Sequence, residues 1–180
     1  MKKPDDGASN RKSTLLRCGC LLSPFLLLLL LFVGTTLYNN FRLWRFERNF
    51  AALSHPPQSK FVARTNEVGL FGNGNHCDFL VAEVRSFTGS RKAVRNFYRS
   101  TRIAVPNSAD DESQDVKNGA QSVEINFLAS PLPSNYRWKF SFAEEIDLSF
   151  AKGQKNLYVV FINNSGESNS WETLCDARCS

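Results

Sequence analysis

Histidine is scarce in this chain, which has only His55 and His76. A serine or cysteine nucleophile needs a neighbouring base, and that base is usually histidine. His76 directly precedes Cys77, and adjacent side chains on a strand point to opposite faces of a sheet. A Gly-x-Ser-x-Gly elbow is also missing. The sequence therefore predicts neither a cysteine-histidine dyad nor a serine triad, and we assign no catalytic residue.

Metal and phosphate motifs are missing as well. The glycine-rich stretch 72–76 lacks the Gly-Lys-Ser/Thr ending of a phosphate-binding loop. The acidic stretch 110–115 lacks the glycine and the final glutamate of a calcium loop. One set of four nitrogen and sulfur ligands has unsuitable spacing for structural zinc, namely His76, Cys77, Cys175 and Cys179. We predict no metal and no cofactor.

The chain carries a net charge of +5, but most of the chain lacks a net positive charge. Residues 1–60 hold nine Lys or Arg and three Asp or Glu, a net charge of +6. Residues 61–180 hold thirteen against fourteen, a net charge of −1. Nucleic-acid binding needs cations on the folded surface, so this distribution argues against it. Basic charge around an apolar segment is typical of a membrane topology signal instead.

The apolar segment lies between Arg17 and Arg42, where residues 18–41 carry no charge. As a helix, these 24 residues would be about 36 Å long, against about 30 Å for the hydrocarbon core of a bilayer. A cleaved signal peptide is the alternative, but 34–40 offers only a poor cleavage site. We predict a retained transmembrane helix over 18–41, preceded by a disordered basic tail over 1–17.

The flanking charges indicate the orientation. Five basic residues precede the span and three follow it closely. The positive-inside rule then places the N-terminus in the cytoplasm and the C-terminal domain outside, in the periplasm, the extracellular space or an organelle lumen.

Aromatic and basic residues alternate just after the span, which is typical of a membrane interface. Leu43, Phe46, Phe50 and Leu53 share a helical face, and His55-Pro56-Pro57 ends any helix. We predict that 42–64 is an amphipathic segment on the headgroups followed by a linker, with these interface anchors: Arg42, Trp44, Arg45, Phe46 and Phe50.

The remaining residues, 65–180, predict one small domain. After a glycine-rich loop over 66–76, the apolar residues of 77–87 indicate a strand that is covered on both faces over its first half. Ser90 is suited to cap a helix running to about residue 101. Three further strands are predicted over 122–128, 136–142 and 156–162. The order strand-helix-strand-strand-strand predicts an α+β fold, a mostly antiparallel sheet with one packed helix.

Three of the five cysteines lie in this domain. On an oxidising side of the membrane, Cys77 can pair with Cys175 or with Cys179. Either bond would close a loop of about 100 residues and stabilise the fold by about 4 kcal/mol. Three buried free thiols are the alternative.

The predicted helix carries a cationic face that suits an anionic partner, formed by Arg91, Lys92, Arg95, Arg99 and Arg102. Anionic headgroups, a surface polymer or an acidic protein would match it. A merely solvated helix face is the alternative, and the acidic stretch 110–115 could also neutralise it.

These features favour a non-enzymatic, membrane-anchored protein with an extracytoplasmic binding, sensing or accessory domain. Its partners would be the bilayer and a protein at the membrane surface, in an oligomeric state that the sequence does not specify. One alternative is a small tethered hydrolase using acidic residues such as Glu144, Glu145 and Asp147. Another is a structural subunit of a membrane complex.

Overall fold

The computed structural model describes residues 7–69, 71, 77–105, 120–140, 145–165, 176 and 178, with side chains of the first helix from residue 24 onward. It contains two α-helices, α1 (Gly7–Ala51) and α2 (Arg91–Tyr98). Eight strands accompany them: β1 (Ser59–Gly69), β2 (Asp78–Phe87), β3 (Arg102–Ala104), β4 (Ala120–Ser122), β5 (Glu124–Phe127), β6 (Arg137–Trp138), β7 (Ile146–Asp147) and β8 (Leu157–Ser165). A 3₁₀ turn (Ser149–Ala151) precedes β8.

Helix α1 is a single helix of 45 residues. Its part Pro24–Ala51 is long and apolar enough to cross a membrane, a property that signal sequences share. Its side chains from Phe25 to Val33 are exposed all round. Beyond Thr36 one face is buried against the domain, so the helix leaves the apolar segment and enters the fold without a break.

The main sheet has four antiparallel strands in the order β1-β2-β8-β5. Its central strand β2 is buried along almost its whole length, since it alternates apolar residues on both faces. Two short ladders, β3-β4 and β6-β7, extend the domain. This is the predicted α+β class, and the prediction of a mostly antiparallel sheet with one packed helix is confirmed.

Each face of the sheet is covered by its own apolar cluster. One cluster joins Phe79 and Val81 of β2 to Phe46 and Phe50 of α1, and to Tyr98 of α2. The opposite cluster is filled by side chains from the segment between β5 and β8, with these members among others: Leu128, Leu132, Trp138 and Leu148. The sheet is therefore a middle layer, and α1 and α2 both pack on the same side of it.

One prediction for local structure is confirmed, and another differs from what is observed. The N-cap prediction is confirmed, because the Ser90 side chain accepts a hydrogen bond from the Ala93 amide at 3.1 Å. However, β1 occupies residues predicted to be the end of a linker and the start of a loop. It is an edge strand whose residues are mostly only half-buried, and its many polar side chains hide the apolar alternation that marks a buried strand.

Candidate functional site: the junction between α1 and the domain

The last three turns of α1 form part of the domain core. Asn39, Arg42, Phe46 and Phe50 recur at helical spacing and are buried, with Phe46 and Phe50 fully inaccessible. The Arg42 guanidinium lies 4.9 Å from the centre of the Phe79 ring, an arrangement that retains electrostatic stabilisation for a buried cation. This face joins the helix to β2 through side-chain packing.

Three of the predicted membrane anchors are therefore buried against the domain instead of facing headgroups. Phe46, Phe50 and Arg42 contact protein, and their burial leaves the two aromatic rings no surface to offer to headgroups. The predicted amphipathic period is present, but its apolar face packs on the sheet. Trp44 and Arg45 do lie on the opposite, exposed face.

A polar cluster closes the end of the domain nearest the apolar segment. The Asn39 amide donates hydrogen bonds to Asp176 Oδ2 at 2.9 Å and to Cys77 Sγ at 3.3 Å. Arg178 pairs with Asp176 at 2.7 Å and donates to Asn40 Oδ1 at 2.8 Å. Burial alone would raise the pKa of Asp176, but hydrogen bonds from Arg178 and Asn39 hold it below its usual value. The C-terminal residues are thus tied to α1.

Cys77 lies within this cluster, is fully buried and is disulfide-bonded. The second sulfur is not among the described side chains. Cys175 and Cys179, the predicted partners, lie outside the described residues, and so the pairing stays a prediction. Their neighbours Asp176 and Arg178 lie close to the Asn39 side chain and to α1, respectively.

A second polar cluster is buried where α1 ends. Glu83 of β2 is almost inaccessible, and its carboxylate lies 3.2 Å from His55 Nε2 and 3.2 Å from Arg85 Nη1. Arg64 of β1 approaches the other carboxylate oxygen at 3.4 Å. One carboxylate therefore faces two arginines and a histidine, which is the pairing that a buried charge requires.

Phenol groups continue this cluster into α2. His55 Nδ1 lies 2.7 Å from the Tyr98 hydroxyl, which lies 3.1 Å from the Tyr158 hydroxyl. We assign the imidazole proton to Nε2, facing Glu83, so that Tyr98 donates to Nδ1 and accepts from Tyr158. Burial and the neighbouring Arg85 lower the pKa of His55, and burial together with Tyr158 raises the pKa of Tyr98. In both groups the shift favours the neutral form.

This series of polar contacts connects the residues after α1 to β2, α2 and β8, and the sequence did not predict it. His55 had been assigned to a linker, and no local pattern joins it to partners 28 to 103 positions away. Its surroundings make it a structural group, since Tyr98 and Tyr158 are buried and the histidine is largely covered. The arrangement can hold charge and orient the helix end, but it presents no nucleophile to solvent.

The predicted cationic face lies along α2 and into β3. All five of its side chains are exposed. The guanidinium carbons of Arg91 and Arg95 lie 5.3 and 5.1 Å from the centre of the Phe127 ring. Among described residues, Arg91, Lys92, Arg95 and Arg99 form no ion pair. The acidic stretch 110–115 lies outside the described residues.

An open depression of about 440 Å³ lies beside this face. Arg95 and Arg99 flank it, and Val123, Ile125 and Tyr98 contribute to its lining. Two guanidinium groups next to apolar surface suit an anionic group attached to an apolar body. Because this depression is shallow and open, it suits the surface of a macromolecule better than a small substrate, which would need an enclosed pocket.

The acidic residues considered for hydrolysis do not form a buried pair. Glu145 is exposed and pairs with Arg137 at 3.1 Å. Hydrogen bonds from Ser149 lower the pKa of Asp147, which is fully exposed, whereas a general acid needs a raised pKa. Glu144 lies outside the described residues. In the described part of the chain, no cluster of metal-ligating side chains is found.

Comparison with known proteins adds no relative to this picture. No protein-family model matches the chain, and no curated protein or solved structure is significantly similar to it. The geometry of the junction and of the cationic face therefore carries the functional argument.

Proposed function

We propose that this chain is a membrane-anchored binding protein, whose extracytoplasmic domain is held in a fixed orientation by its own transmembrane helix. The observation that carries the proposal is the continuity of α1, which runs from the apolar segment into the core, where Phe46 and Phe50 are fully buried. A flexible tether would leave the domain free to rotate. A helix packed into the core transmits its position and tilt to the sheet.

The cysteine chemistry supports an extracytoplasmic location. Disulfides persist in oxidising compartments, and Cys77 is disulfide-bonded. We propose Cys175 as its partner in preference to Cys179, because the adjacent Asp176 and the Cys77 sulfur accept hydrogen bonds from the same Asn39 amide group. The greater basic charge before the apolar segment supports the same orientation.

The binding surface in this proposal is the cationic face of α2. Asn49 of α1 donates to the Ala104 carbonyl at 3.1 Å, which places β3 beside residue 49. The neighbouring depression adds the apolar side chains of Val123 and Ile125 to this cationic surface, a mixture of charge and apolar area typical of protein interfaces rather than of headgroup contacts. An acidic protein partner suits it better.

Thiol labelling in intact cells tests the orientation. In a background with Cys18→Ser and Cys20→Ser, a new cysteine at the exposed Lys155 would react with a membrane-impermeant maleimide. A cysteine replacing Ser13, in the N-terminal part, would react only after lysis. The reverse pattern would place the domain in the cytoplasm and overturn the proposal.

Photocrosslinking tests the binding surface. A photoreactive residue replacing Lys92 lies on the cationic face, while one replacing Lys155 is a control at another exposed position. We expect a crosslinked partner at the first position only, and its loss with Arg95→Glu and Arg99→Glu. Equal crosslinking at both positions, or no effect of charge reversal, would show that the cationic face is only solvated.

A further inference from the structure

One face of α1 stays exposed after the domain has covered the opposite face. Leu37, Tyr38, Phe41 and Trp44 are each about half exposed or more. They continue the apolar surface of the preceding segment by about two helical turns. The apolar face therefore extends beyond the point at which the domain begins.

Two arginines lie on the aromatic rings of this face. Arg45 lies 6.0 Å from the centre of the Phe41 ring, and Arg48 lies 5.0 Å from the centre of the Trp44 ring. The two rings are stacked on each other at 5.7 Å. We name Phe41, Trp44, Arg45 and Arg48 the aromatic-arginine stack. Because helical side chains lean toward the N-terminus, both guanidinium groups are directed back toward the apolar segment.

The length of the apolar segment brings this stack close to a bilayer. Residues 18–41 measure about 36 Å as a helix, whereas a hydrocarbon core is about 30 Å thick. A helix that is too long tilts. The domain occupies one side of α1 above Thr36, so the side free to approach the bilayer is the one that carries the stack.

We propose that the aromatic-arginine stack binds the headgroup phosphates of anionic phospholipids in the leaflet next to the domain. This inference rests on the proposed membrane anchoring. The amphipathic tryptophan ring suits headgroup depth, and a guanidinium forms bidentate hydrogen bonds with phosphate oxygens. A basic residue near an anionic surface contributes a preference of about fivefold, so two arginines should together favour anionic over zwitterionic lipid by roughly 25-fold.

Charge argues against a second copy of the chain on this face. Two copies in one membrane are related by an axis along the membrane normal, so equivalent residues would face each other at equal height. Arg45 would then approach Arg45, and Arg48 would approach Arg48, with like charges opposed. An apolar helix from another protein would have to desolvate both arginines without compensation.

Quenching of Trp44 fluorescence by brominated lipids tests the proposal. The full chain is reconstituted in vesicles that contain an anionic or a zwitterionic phospholipid brominated close to the headgroup, at equal mole fractions. The Trp44→Phe variant supplies the background from Trp138 and Trp171. We expect stronger quenching by the anionic lipid, lost with Arg45→Gln and Arg48→Gln and kept with Lys152→Gln and Lys155→Gln, the matched control at two exposed basic residues outside both the stack and the cationic face.

Three other outcomes would overturn the inference in distinguishable ways. Equal quenching by both lipids would show contact without recognition of anionic headgroups. No quenching in a chain that floats with the vesicles would show that the stack avoids lipid and is left for an acidic protein. A chain that does not float with the vesicles would overturn the proposed anchoring, and this inference with it.

Discussion

Phe46 gives the sharpest test of whether the end of α1 belongs to the domain. Its ring is fully buried in the cluster that contains Phe79 and Val81, while Trp44, two residues earlier, is 48 % exposed. Replacing a buried phenylalanine with alanine removes its packing and leaves a cavity, which costs about 3–5 kcal/mol. The free energy of unfolding of a typical domain is only about 5–15 kcal/mol. We therefore expect Phe46→Ala to remove a large part of the stability.

Thermal unfolding of the full chain in detergent measures this difference. A loss of 1 kcal/mol lowers Tm by about 4 °C in a domain of this size, so Phe46→Ala should lower Tm by about 12–20 °C. Near-UV circular dichroism would monitor the unfolding. Trp44→Ala is the matched control on the same helix, and an exposed substitution should cost about 0.5 kcal/mol or less. Equal losses for the two variants, or a larger loss for Trp44→Ala, would refute the packing of α1 in the core.

Three further predictions concern the buried polar groups and the disulfide. Glu83→Gln removes the carboxylate between two arginines and should cost about 3–5 kcal/mol, whereas Glu145→Gln, at an exposed pair, should cost less than about 1 kcal/mol; similar unfolding midpoints would contradict this. The pKa of His55 is lowered in the fold, so its contribution to stability should be complete above pH 6.5 and be lost as the pH falls through the lowered value. His55→Gln should flatten this part of the pH profile of Tm, and an unchanged slope would count against it. Peptide mapping without reduction should find the bond to Cys77 intact in Cys179→Ser and absent in Cys175→Ser, and the opposite result would reverse the proposed pairing.

Local sequence patterns were sufficient for some elements of the fold. The alternation of Leu80, Ala82 and Val84 with Phe79 and Val81 predicts a strand covered on both faces, and β2 has this form. Ser90 predicts a helix start through its capping side chain, and α2 begins at the next residue. Both signals depend on only a few consecutive residues, so the sequence contains them in full.

Other features could not be predicted, because a pattern of apolar residues does not specify which surface will cover it. A stripe of Phe46 and Phe50 has the same period whether it lies on headgroups or on a sheet, and only the tertiary fold distinguishes the two. The edge strand β1 was not predicted, because Lys60, Arg64 and Glu67 interrupt its apolar positions. The Glu83 cluster takes His55 and Arg64 from outside β2, so the spacing of Glu83 and Arg85 on one strand indicates only part of it.

Hydrogen exchange measured by mass spectrometry tests most directly whether α1 runs without a break from the apolar segment into the core of the domain. The intact chain would be studied in lipid nanodiscs, with the exchange of amides 37–50 compared with that of the buried strand β2. A helix packed in the core should protect these amides as strongly as those of β2. Rapid exchange between residues 37 and 45, beside a protected β2, would show a flexible tether and contradict the account.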